Sequence, residues 1–240
     1  MNSVCKPSVI LLDIEGTTTP ISFVYDTLFP YARAHLLQYL EEHADDPELH
    51  RDLDQLSKEN QAEISQSAPI ISEARSSSQA YGYLVWLMDQ DRKSPALKAI
   101  QGKIWETGYS SGRLKSTIFP DVPRALERWH RQGCRTAIYS SGSVLAQKLI
   151  FCHSDCGDLT PWIEAYFDTA IGPKTEVASY RKISGKLGST PQEILFLSDS
   201  PAELDAAEAA GLDVRLTIRP GNRSVPHPVH HRPVSSLDEL

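Results

Sequence analysis

The chain has 240 residues, of which 40% are hydrophobic and 23% charged, with a formal net charge of −7 and a sequence pI near 5.6. This length fits one large domain, or a core domain with a smaller insertion, and the composition is that of a globular protein. The acidic balance argues against a broad nucleic-acid or anionic-membrane surface, although a small cationic pocket remains compatible with it. No apolar run reaches the roughly 20 residues of a membrane span, and the N-terminal apolar stretch is too short for a signal-peptide core. We therefore expect neither nucleic acid nor membrane as a partner.

The cysteines and the C-terminal histidines give little sign of a metal or disulfide framework. The chain has four cysteines: Cys5, Cys134, Cys152 and Cys156. They are too few and too scattered for a disulfide framework, which favours a reducing, intracellular location. Cys152 and Cys156 could supply half of a zinc site, but no second pair has suitable spacing. His227, His230 and His231 lie in a Pro-rich segment and are expected to be exposed.

The first half of the chain contains a strand and then a helical region. An uninterrupted apolar run over Val9–Leu12 predicts a buried strand that ends in acidic and turn residues. Apolar residues within 31–40 and 83–87 each fall on one helix face, and Ser94-Pro95 is typical of an N-cap and first helical turn. The polar stretch from Gln55 to Gln79 is expected to be partly a loop of low order.

Helix and strand patterns alternate from Ile118 onward. The expected helices are 122–132, 144–151, 175–187 and 202–210, and the expected strands are 136–139, 194–197 and 214–218. Such alternation implies a parallel sheet with helices on both faces. The predicted fold is α/β, with a doubly wound, Rossmann-like parallel-sheet hydrolase core at 1–19 and 116–240 and an inserted helical cap domain at 20–115.

Four polar clusters are expected at the carboxyl ends of the strands of this sheet, which is where such sheets bind ligands. The first is Asp13-Ile14-Glu15-Gly16-Thr17-Thr18. The carboxylate of Asp13 can attack phosphorus as a covalent nucleophile. Glu15, two residues later, can protonate the leaving oxygen and then deprotonate the hydrolytic water. The competing interpretation is that Asp13 only caps the following loop.

The second and third clusters could bind phosphate. Ser140-Ser141-Gly142-Ser143 opens a predicted helix, where a hydroxyl and exposed amide groups form an anion site. An ordinary serine N-cap explains the same pattern. Lys174 stands at the start of another predicted helix, where the helix dipole disfavours a cation unless it holds an anion and balances carboxylates. A solvated surface lysine is the alternative.

The fourth cluster is Ser198-Asp199-Ser200-Pro201, with Glu203 one helical turn later. Asp199 can join Asp13 as an oxygen ligand of Mg²⁺, with water and substrate phosphate completing an octahedron. Glu203 could orient a metal-bound water. The competing role is that Asp199 or Ser200 caps the helix that begins at Pro201.

In this order, Asp13 with Glu15, Ser140, Lys174 and Asp199 resemble the four motifs of the haloacid dehalogenase-like superfamily. The second acid of the first motif is usually Asp in that superfamily. Glu15, in the phrase from Leu12 to Ile21, is similar to the enolase-phosphatase (acireductone synthase) family of methionine salvage. Further similarity lies in Asp91-Arg92-Lys93, Ala96-Leu97-Lys98, Gln101-Gly102, Tyr139–Ser143, Gln147-Lys148-Leu149, Phe167-Asp168-Thr169 and Arg219-Pro220-Gly221-Asn222.

The resemblance implies an enzyme that enolises 2,3-diketo-5-methylthiopentyl 1-phosphate and then hydrolyses its phosphate through an aspartyl phosphate, giving 1,2-dihydroxy-3-keto-5-methylthiopentene. It implies three groups of site residues: Asp13 and Glu15 in catalysis; Ser140, Ser141 and Lys174 in substrate binding; Asp13, Glu15 and Asp199 around one Mg²⁺ per subunit. It also implies a cytoplasmic monomer, with a nuclear pool as well if the source is eukaryotic.

The enolisation base is not identified by the sequence. Arg92, Lys93 and Lys98 of the predicted cap are candidates to approach the substrate, and a solvated helix face explains them about as well.

Other functions match part of this pattern. The nearest is a generalist Mg²⁺-dependent small-molecule phosphomonoesterase on the same scaffold, against which the first motif and the cap phrases argue. A dehalogenase needs neither Glu15 nor a metal site, and a phosphoryl-transfer pump would carry Lys-Thr-Gly after Asp13. A catalytically inactive binding module would lack at least one of the four motif residues, and all four are present.

Overall fold

A computed structural model describes residues 7–73, 75–222 and 230–240 of the chain. The chain divides into two compact units, one of Met1–Tyr25 with Lys115–Leu240 and the other of Asp26–Leu114. The first unit contains a parallel sheet and the second is helical. None of the helices in the described ranges is both long and apolar enough to cross a bilayer.

The sheet of the first unit is parallel, in the order β3-β2-β1-β4-β5-β6. Its strands are β1 Val9–Leu12, β2 Arg135–Tyr139, β3 Ala165–Phe167, β4 Ile194–Ser198, β5 Asp213–Thr217 and β6 Pro233–Val234. The prediction of an α/β parallel-sheet fold is confirmed, and four of the strands were predicted within one residue at each end. The two edge strands β3 and β6 were not predicted.

The helices of the described chain are α1 Ile21–Phe23, α2 Phe29–Glu42, α3 Pro47–Gln61, α4 Ser77–Asp89, α5 Pro95–Ser110, α6 Val122–Arg131, α7 Val144–Cys152, α8 Val177–Leu187 and α9 Pro201–Ala209, with a π-helical turn at Val24–Leu28. Helix α8 begins at Val177 rather than at residue 175. Lys174 therefore precedes the helix, and the prediction that it stands at a helix start is wrong.

Both faces of the central strand are buried. Val9 and Leu11 of β1 share one core cluster with Tyr180 of α8 and Leu204 of α9. The alternating residues Ile10 and Leu12 point to the opposite face and are equally inaccessible to solvent. An uninterrupted apolar strand is the pattern that such a doubly covered sheet requires.

The helical unit is built from α2 to α5, with α2 packed on α4 and α5 and α3 packed on the same two helices. Asp46 caps α3 by accepting the N–H of Glu48 at 2.7 Å. The predicted Ser94 cap is confirmed, because its hydroxyl accepts the N–H of Leu97 at 3.0 Å. Helix α3 runs to Gln61 and α4 begins at Ser77, so the part of the polar stretch that is a loop lies between them; its described residues 62–73 and 75–76 are not helical.

The C-terminal segment differs from its prediction at one histidine. His227 lies outside the described residues, and His230 is exposed. His231 is buried, with Nε2 2.8 Å from Asp205 Oδ1 of α9. The expectation that His231 is exposed is therefore wrong.

Candidate active site

The candidate site lies at the carboxyl edge of the sheet, where β1 and β4 run side by side. Leu12 pairs with Ile138 of β2 and with Leu197 of β4, so Asp13 leaves the sheet beside the ends of both neighbours. The strand order reverses at this point, because β2 and β3 lie on one side of β1 and β4 to β6 on the other. Such a switch point is where open parallel sheets bind ligands.

A buried lysine joins two carboxylates at this edge. Lys174 Nζ lies 2.6 Å from Asp13 Oδ1 and 2.6 Å from Glu203 Oε2, and the Lys174 side chain is 6% exposed. Asp13 Oδ1 also accepts the N–H of Ile14 at 2.8 Å. The hydroxyl of Ser198 lies 2.8 Å from Glu203 Oε2 and 3.3 Å from Asp13 Oδ2. Lys174 is thus a partner of the candidate nucleophile and not a solvated surface residue.

The loop that carries Lys174 is held through its backbone. Four consecutive carbonyl oxygens each accept a hydrogen bond from a side chain: Ile171 from Lys182 Nζ at 3.0 Å, Gly172 from Tyr139 Oη at 2.8 Å, Pro173 from Ser179 Oγ at 2.7 Å and Lys174 from Tyr180 Oη at 2.6 Å. Burial raises the pKa of both tyrosines, so both hydroxyls stay protonated and donate. The lysine is therefore positioned by the core of the sheet.

The charges of Asp13, Lys174 and Glu203 lie close enough to change the pKa values within the cluster. Burial lowers the pKa of Lys174, but the adjacent charges of Asp13 and Glu203 raise it by more, so the net shift is upward and the ammonium form persists. Burial and the charge of Asp13 raise the pKa of Glu203 to about 7, against the opposing effects of Lys174 and Ser198. The cluster therefore holds one permanent cation and a carboxyl group that titrates near neutrality.

A tight turn follows β1. The N–H groups of residues 17–19 all donate to Ile14 O, at 3.2, 2.9 and 2.9 Å, and the N–H of Gly16 donates to Thr19 O at 2.8 Å. Gly16 has φ 69°, and a Cβ at this position would collide with the carboxylate of Asp199. Glycine is required here both by the left-handed backbone and by the close approach of Asp199.

Residues after β5 hold this turn from the other side. Arg219 donates from Nε and Nη2 to Thr17 O, at 3.2 and 3.1 Å. The same guanidinium pairs with buried Asp121 at 2.7 Å, and its centre lies 4.7 Å from the centre of the Phe119 ring. Burial opposes ionisation of Asp121, but hydrogen bonds from Leu237 and Arg219 together keep its pKa lowered. The turn that contains Glu15 is thus fixed by a buried ion pair.

The serine cluster opens α7 in the predicted place. Ser143 is the N-cap and accepts the N–H of Ala146 at 3.3 Å, so Ser140 is not the capping residue. The Ser140 hydroxyl accepts the N–H of Gly142 at 3.3 Å and is almost fully buried, whereas Ser141 is exposed. The hydroxyl proton of Ser140 can therefore be directed to a ligand beyond β2.

Acidic side chains exceed cations in this group. When ionised, Asp13, Asp199 and Glu203 carry three negative charges against the positive charge of Lys174, so these four side chains have a net charge of −2. Carboxylate oxygens are the ligands that Mg²⁺ prefers, and the excess charge matches a divalent cation, so these residues fit magnesium. Glu15 is half-buried in the turn after β1. Among the described residues no three His, Cys, Asp or Glu side chains are grouped so that they could hold a metal ion. Mg²⁺ is usually bound by one or two carboxylates together with several waters.

Three cationic residues of the helical unit, Arg92, Lys93 and Lys98, differ in their contacts and in their exposure. Arg92 pairs with Glu63 at 2.7 Å, and its guanidinium carbon lies 5.7 Å from the centre of the Trp86 ring. These contacts give Arg92 a structural role within the unit. Lys93 is exposed and Lys98 is half-buried, and their approach to substrate stays a prediction.

The sequence did not indicate the contacts of three residues at this edge of the sheet. Glu203 was predicted to orient a metal-bound water, and its contact in the structure is with Lys174. Ser198 was named only as a member of the fourth polar cluster, and Asn222 only as part of a phrase shared with a family. A hydroxyl as the last residue of a buried strand was the available signal for Ser198.

Comparison with known proteins identifies the family of the chain. Residues 7–211 match the haloacid dehalogenase-like hydrolase family. The chain is 50% identical over 218 residues to enolase-phosphatase E1 of Synechococcus elongatus, covering 91% of each chain. It is 40% identical over 244 residues to enolase-phosphatase E1 of Danio rerio, covering 97% of this chain and 94% of the relative. The crystal structure of the UTR4 protein from Saccharomyces cerevisiae aligns with a TM-score of 0.82 and 36% identity, over 98% of this chain and 100% of the yeast chain.

The length and strength of these matches decide the family. The chain belongs to the haloacid dehalogenase-like hydrolases and, within them, to the enolase-phosphatase E1 family.

Proposed function

We propose that this chain is a magnesium-dependent enolase-phosphatase. It converts 2,3-diketo-5-methylthiopentyl 1-phosphate to 1,2-dihydroxy-3-keto-5-methylthiopentene and phosphate in methionine salvage. The observation that carries the phosphatase reaction is the buried Lys174 ammonium, 2.6 Å from both Asp13 and Glu203 at the switch point of the sheet. The enolase reaction and the identity of the diketone are supported by the name of the relatives, which are 40–50% identical to this chain.

Asp13 is the proposed nucleophile. Lys174 Nζ and the N–H of Ile14 both hold its Oδ1, at 2.6 and 2.8 Å, which fixes the orientation of the carboxylate for in-line attack. Attack forms an aspartyl phosphate and breaks the bond from phosphorus to the substrate oxygen, which takes a proton from Glu15. Glu15 then removes a proton from water, and the water hydrolyses the acyl phosphate to restore Asp13 and release phosphate.

Cationic and hydroxyl groups stabilise the charge that develops on phosphorus. Lys174 and the hydroxyl of Ser140 bind the equatorial phosphate oxygens, and Ser141 lies next in the chain at the exposed rim. Asp13 and Asp199, with Glu15 in the adjoining turn, would hold Mg²⁺, which when bound would add positive charge beside the phosphate oxygens and the diketone. Because Lys174 is buried, solvent does not screen the positive charge of its ammonium group.

We also propose a role for the helical unit, an oligomeric state and a cellular location. We assign residues 20–115 as an inserted helical cap domain, and we assign the enolisation base to no residue. We place the enzyme in the cytoplasm as a monomer, with a nuclear pool as well in a eukaryote. Sedimentation of the purified chain at micromolar concentration tests the monomer.

The direct test of the function follows both half-reactions on the diketone phosphate. Absorbance reports the enol, and an inorganic-phosphate assay reports hydrolysis, each with and without Mg²⁺. The proposal expects both signals, and both should be abolished by chelation of the metal. Fast phosphate release from common sugar and nucleotide monophosphates, with none from the diketone phosphate, would instead identify a generalist phosphomonoesterase.

A further inference from the structure

The loop after β5 places an amide at the turn after β1. Asn222 Nδ2 donates to the backbone carbonyls of Gly16, at 2.9 Å, and Thr217, at 3.4 Å. Because both partners are acceptors, the nitrogen of the amide must face them. The orientation of the Asn222 side chain is therefore fixed by its own hydrogen bonds, and Oδ1 points away from these two carbonyls.

Asn222 Oδ1 is buried and accepts no hydrogen bond from any of the described residues. A buried acceptor without a donor costs about 1–3 kcal/mol, and native proteins rarely retain one without a reason. A Cβ built on Gly16 would lie 2.9 Å from this oxygen and closer still to Asp199 Oδ2. The amide oxygen and the Asp199 carboxylate thus converge on the same side of Gly16.

The buried Asn222 Oδ1, which faces the same side of Gly16 as Asp199 Oδ2, needs a hydrogen-bond donor. An ionised Asp199 has no proton to give, and the two hydrogens of the Asn222 amide are already directed to Gly16 and Thr217. A water molecule bound to a cation has two protons to donate and is a stronger donor than bulk water, because the metal withdraws electron density from its oxygen. Such a water would satisfy Asn222 Oδ1 while its oxygen remains on the metal.

We propose that Asn222 is a positioning residue of the magnesium site, whose Oδ1 accepts a hydrogen bond from a water on the cation that Asp199 binds. The inference rests on the magnesium site of the proposed function. Groups that orient metal ligands in this way change metal affinity by about 10- to 100-fold. Asn222 stabilises the bound state by this route without touching the substrate.

A purely structural role for Asn222 would act through Nδ2 alone. The chain offers a matched control for that role, because the hydroxyl of Thr217 reaches the same carbonyl, Gly16 O, at 3.3 Å and contacts Thr17 Oγ1 at 2.8 Å. Thr217→Val removes tethers of the turn without removing the oxygen that faces Asp199. Asn222→Leu removes both functions of the amide, and Asn222→Asp keeps an oxygen toward Asp199.

The experiment measures the affinity of the full-length, metal-free chain for Mg²⁺ by titration calorimetry, with thermal unfolding in chelator to verify folding. Asn222→Leu is expected to raise the Kd for Mg²⁺ by about tenfold or more. Thr217→Val is expected to stay within about twofold of the parent protein, and Asn222→Asp to bind at least as tightly as the parent.

The inference is overturned if Asn222→Leu binds Mg²⁺ as the parent does, or if Thr217→Val weakens binding as much as Asn222→Leu. If Asn222→Leu does not fold, the smaller Asn222→Ala decides: about tenfold weaker binding supports the inference, and parent-like binding overturns it. A parent protein that binds no Mg²⁺ would refute the metal of the proposed function itself, which distinguishes that failure from a failure of the Asn222 inference alone.

Discussion

Removing the charge of Glu203 should stabilise the metal-free protein at alkaline pH. The cluster raises the pKa of this carboxyl from its ordinary 4.5 to about 7. Between these two values the native protein keeps a proton that the unfolded chain has released, so the free energy of unfolding falls as the pH rises. A shift of this size corresponds to about 3 kcal/mol, all of it lost above the folded pKa. Glu203→Gln has no proton to release and should not show this loss.

Urea unfolding in the presence of chelator, followed by circular dichroism at pH 5 and pH 8, measures the effect. Glu203→Gln is expected to match the parent protein at pH 5 and to exceed its unfolding free energy at pH 8 by about 3 kcal/mol. Glu106→Gln is a suitable control, because this acid lies on α5 of the helical unit and is exposed. It should keep the pH dependence of the parent protein.

A Glu203→Gln protein that is less stable than the parent at pH 8 would refute the reasoning. It would mean that the attraction between Lys174 and Glu203 exceeds the cost of burying the second carboxylate, and that Glu203 is ionised well below neutrality. Added Mg²⁺ should reduce the difference between the two proteins, since a divalent cation favours the ionised cluster.

Three further substitutions probe the supports of the site. Lys174→Met leaves two carboxylates buried without their cation, so the unfolding free energy of the metal-free protein in urea should fall by about 3–5 kcal/mol. Turnover should fall by at least about 100-fold. Turnover within threefold of the parent protein would contradict the role of Lys174. Asp121→Ala leaves Arg219 buried without its carboxylate partner and should lower the free energy of unfolding by about 3–5 kcal/mol. A thermal midpoint equal to that of the parent protein would show that the ion pair does not stabilise the fold. Gly16→Ala places a methyl group against Asp199 at a positive φ and should lower the free energy of unfolding by about 1–3 kcal/mol. It should also weaken Mg²⁺ binding, as measured by calorimetry. An unchanged unfolding free energy together with an unchanged Mg²⁺ affinity would show that the turn can accommodate the methyl group.

The central strands could be predicted from the sequence because burial dictates their composition. Val9–Leu12 is apolar at every position, as a strand covered on both faces must be. Ala165–Phe167 and Pro233–Val234 are edge strands of three and two residues, which are too short for a periodic pattern. Proline disfavours the interior of a sheet, and Pro233 is tolerated in β6 because an edge strand requires no hydrogen bond from its nitrogen.

The residue types of the site were predictable, and their partners were not. Asp13, Ser140, Lys174 and Asp199 each follow a strand or its loop, and chain order alone indicates that they share one edge of the sheet. The contact of Lys174 with Glu203 depends on a loop held by four side chains and on the exact start of α8, which propensity cannot supply. Lys174 contacts both carboxylates from the loop before α8, although the sequence placed it at the start of that helix.

The orientation of Asn222 shows the same limit. Its amide is fixed by two carbonyls from distant parts of the chain, and no local pattern contains this information. Only the hydrogen-bond partners show that one oxygen is left over beside Asp199.

The most direct test of the account is to trap the phosphorylated enzyme. Acid quenching during turnover of the diketone phosphate, followed by peptide mass spectrometry, should find a phosphoryl group on Asp13 in the parent protein and none in Asp13→Asn. That variant should also release no phosphate above background while retaining its fold. Phosphate release by Asp13→Asn at a rate close to that of the parent protein would contradict the assignment of Asp13 as the nucleophile.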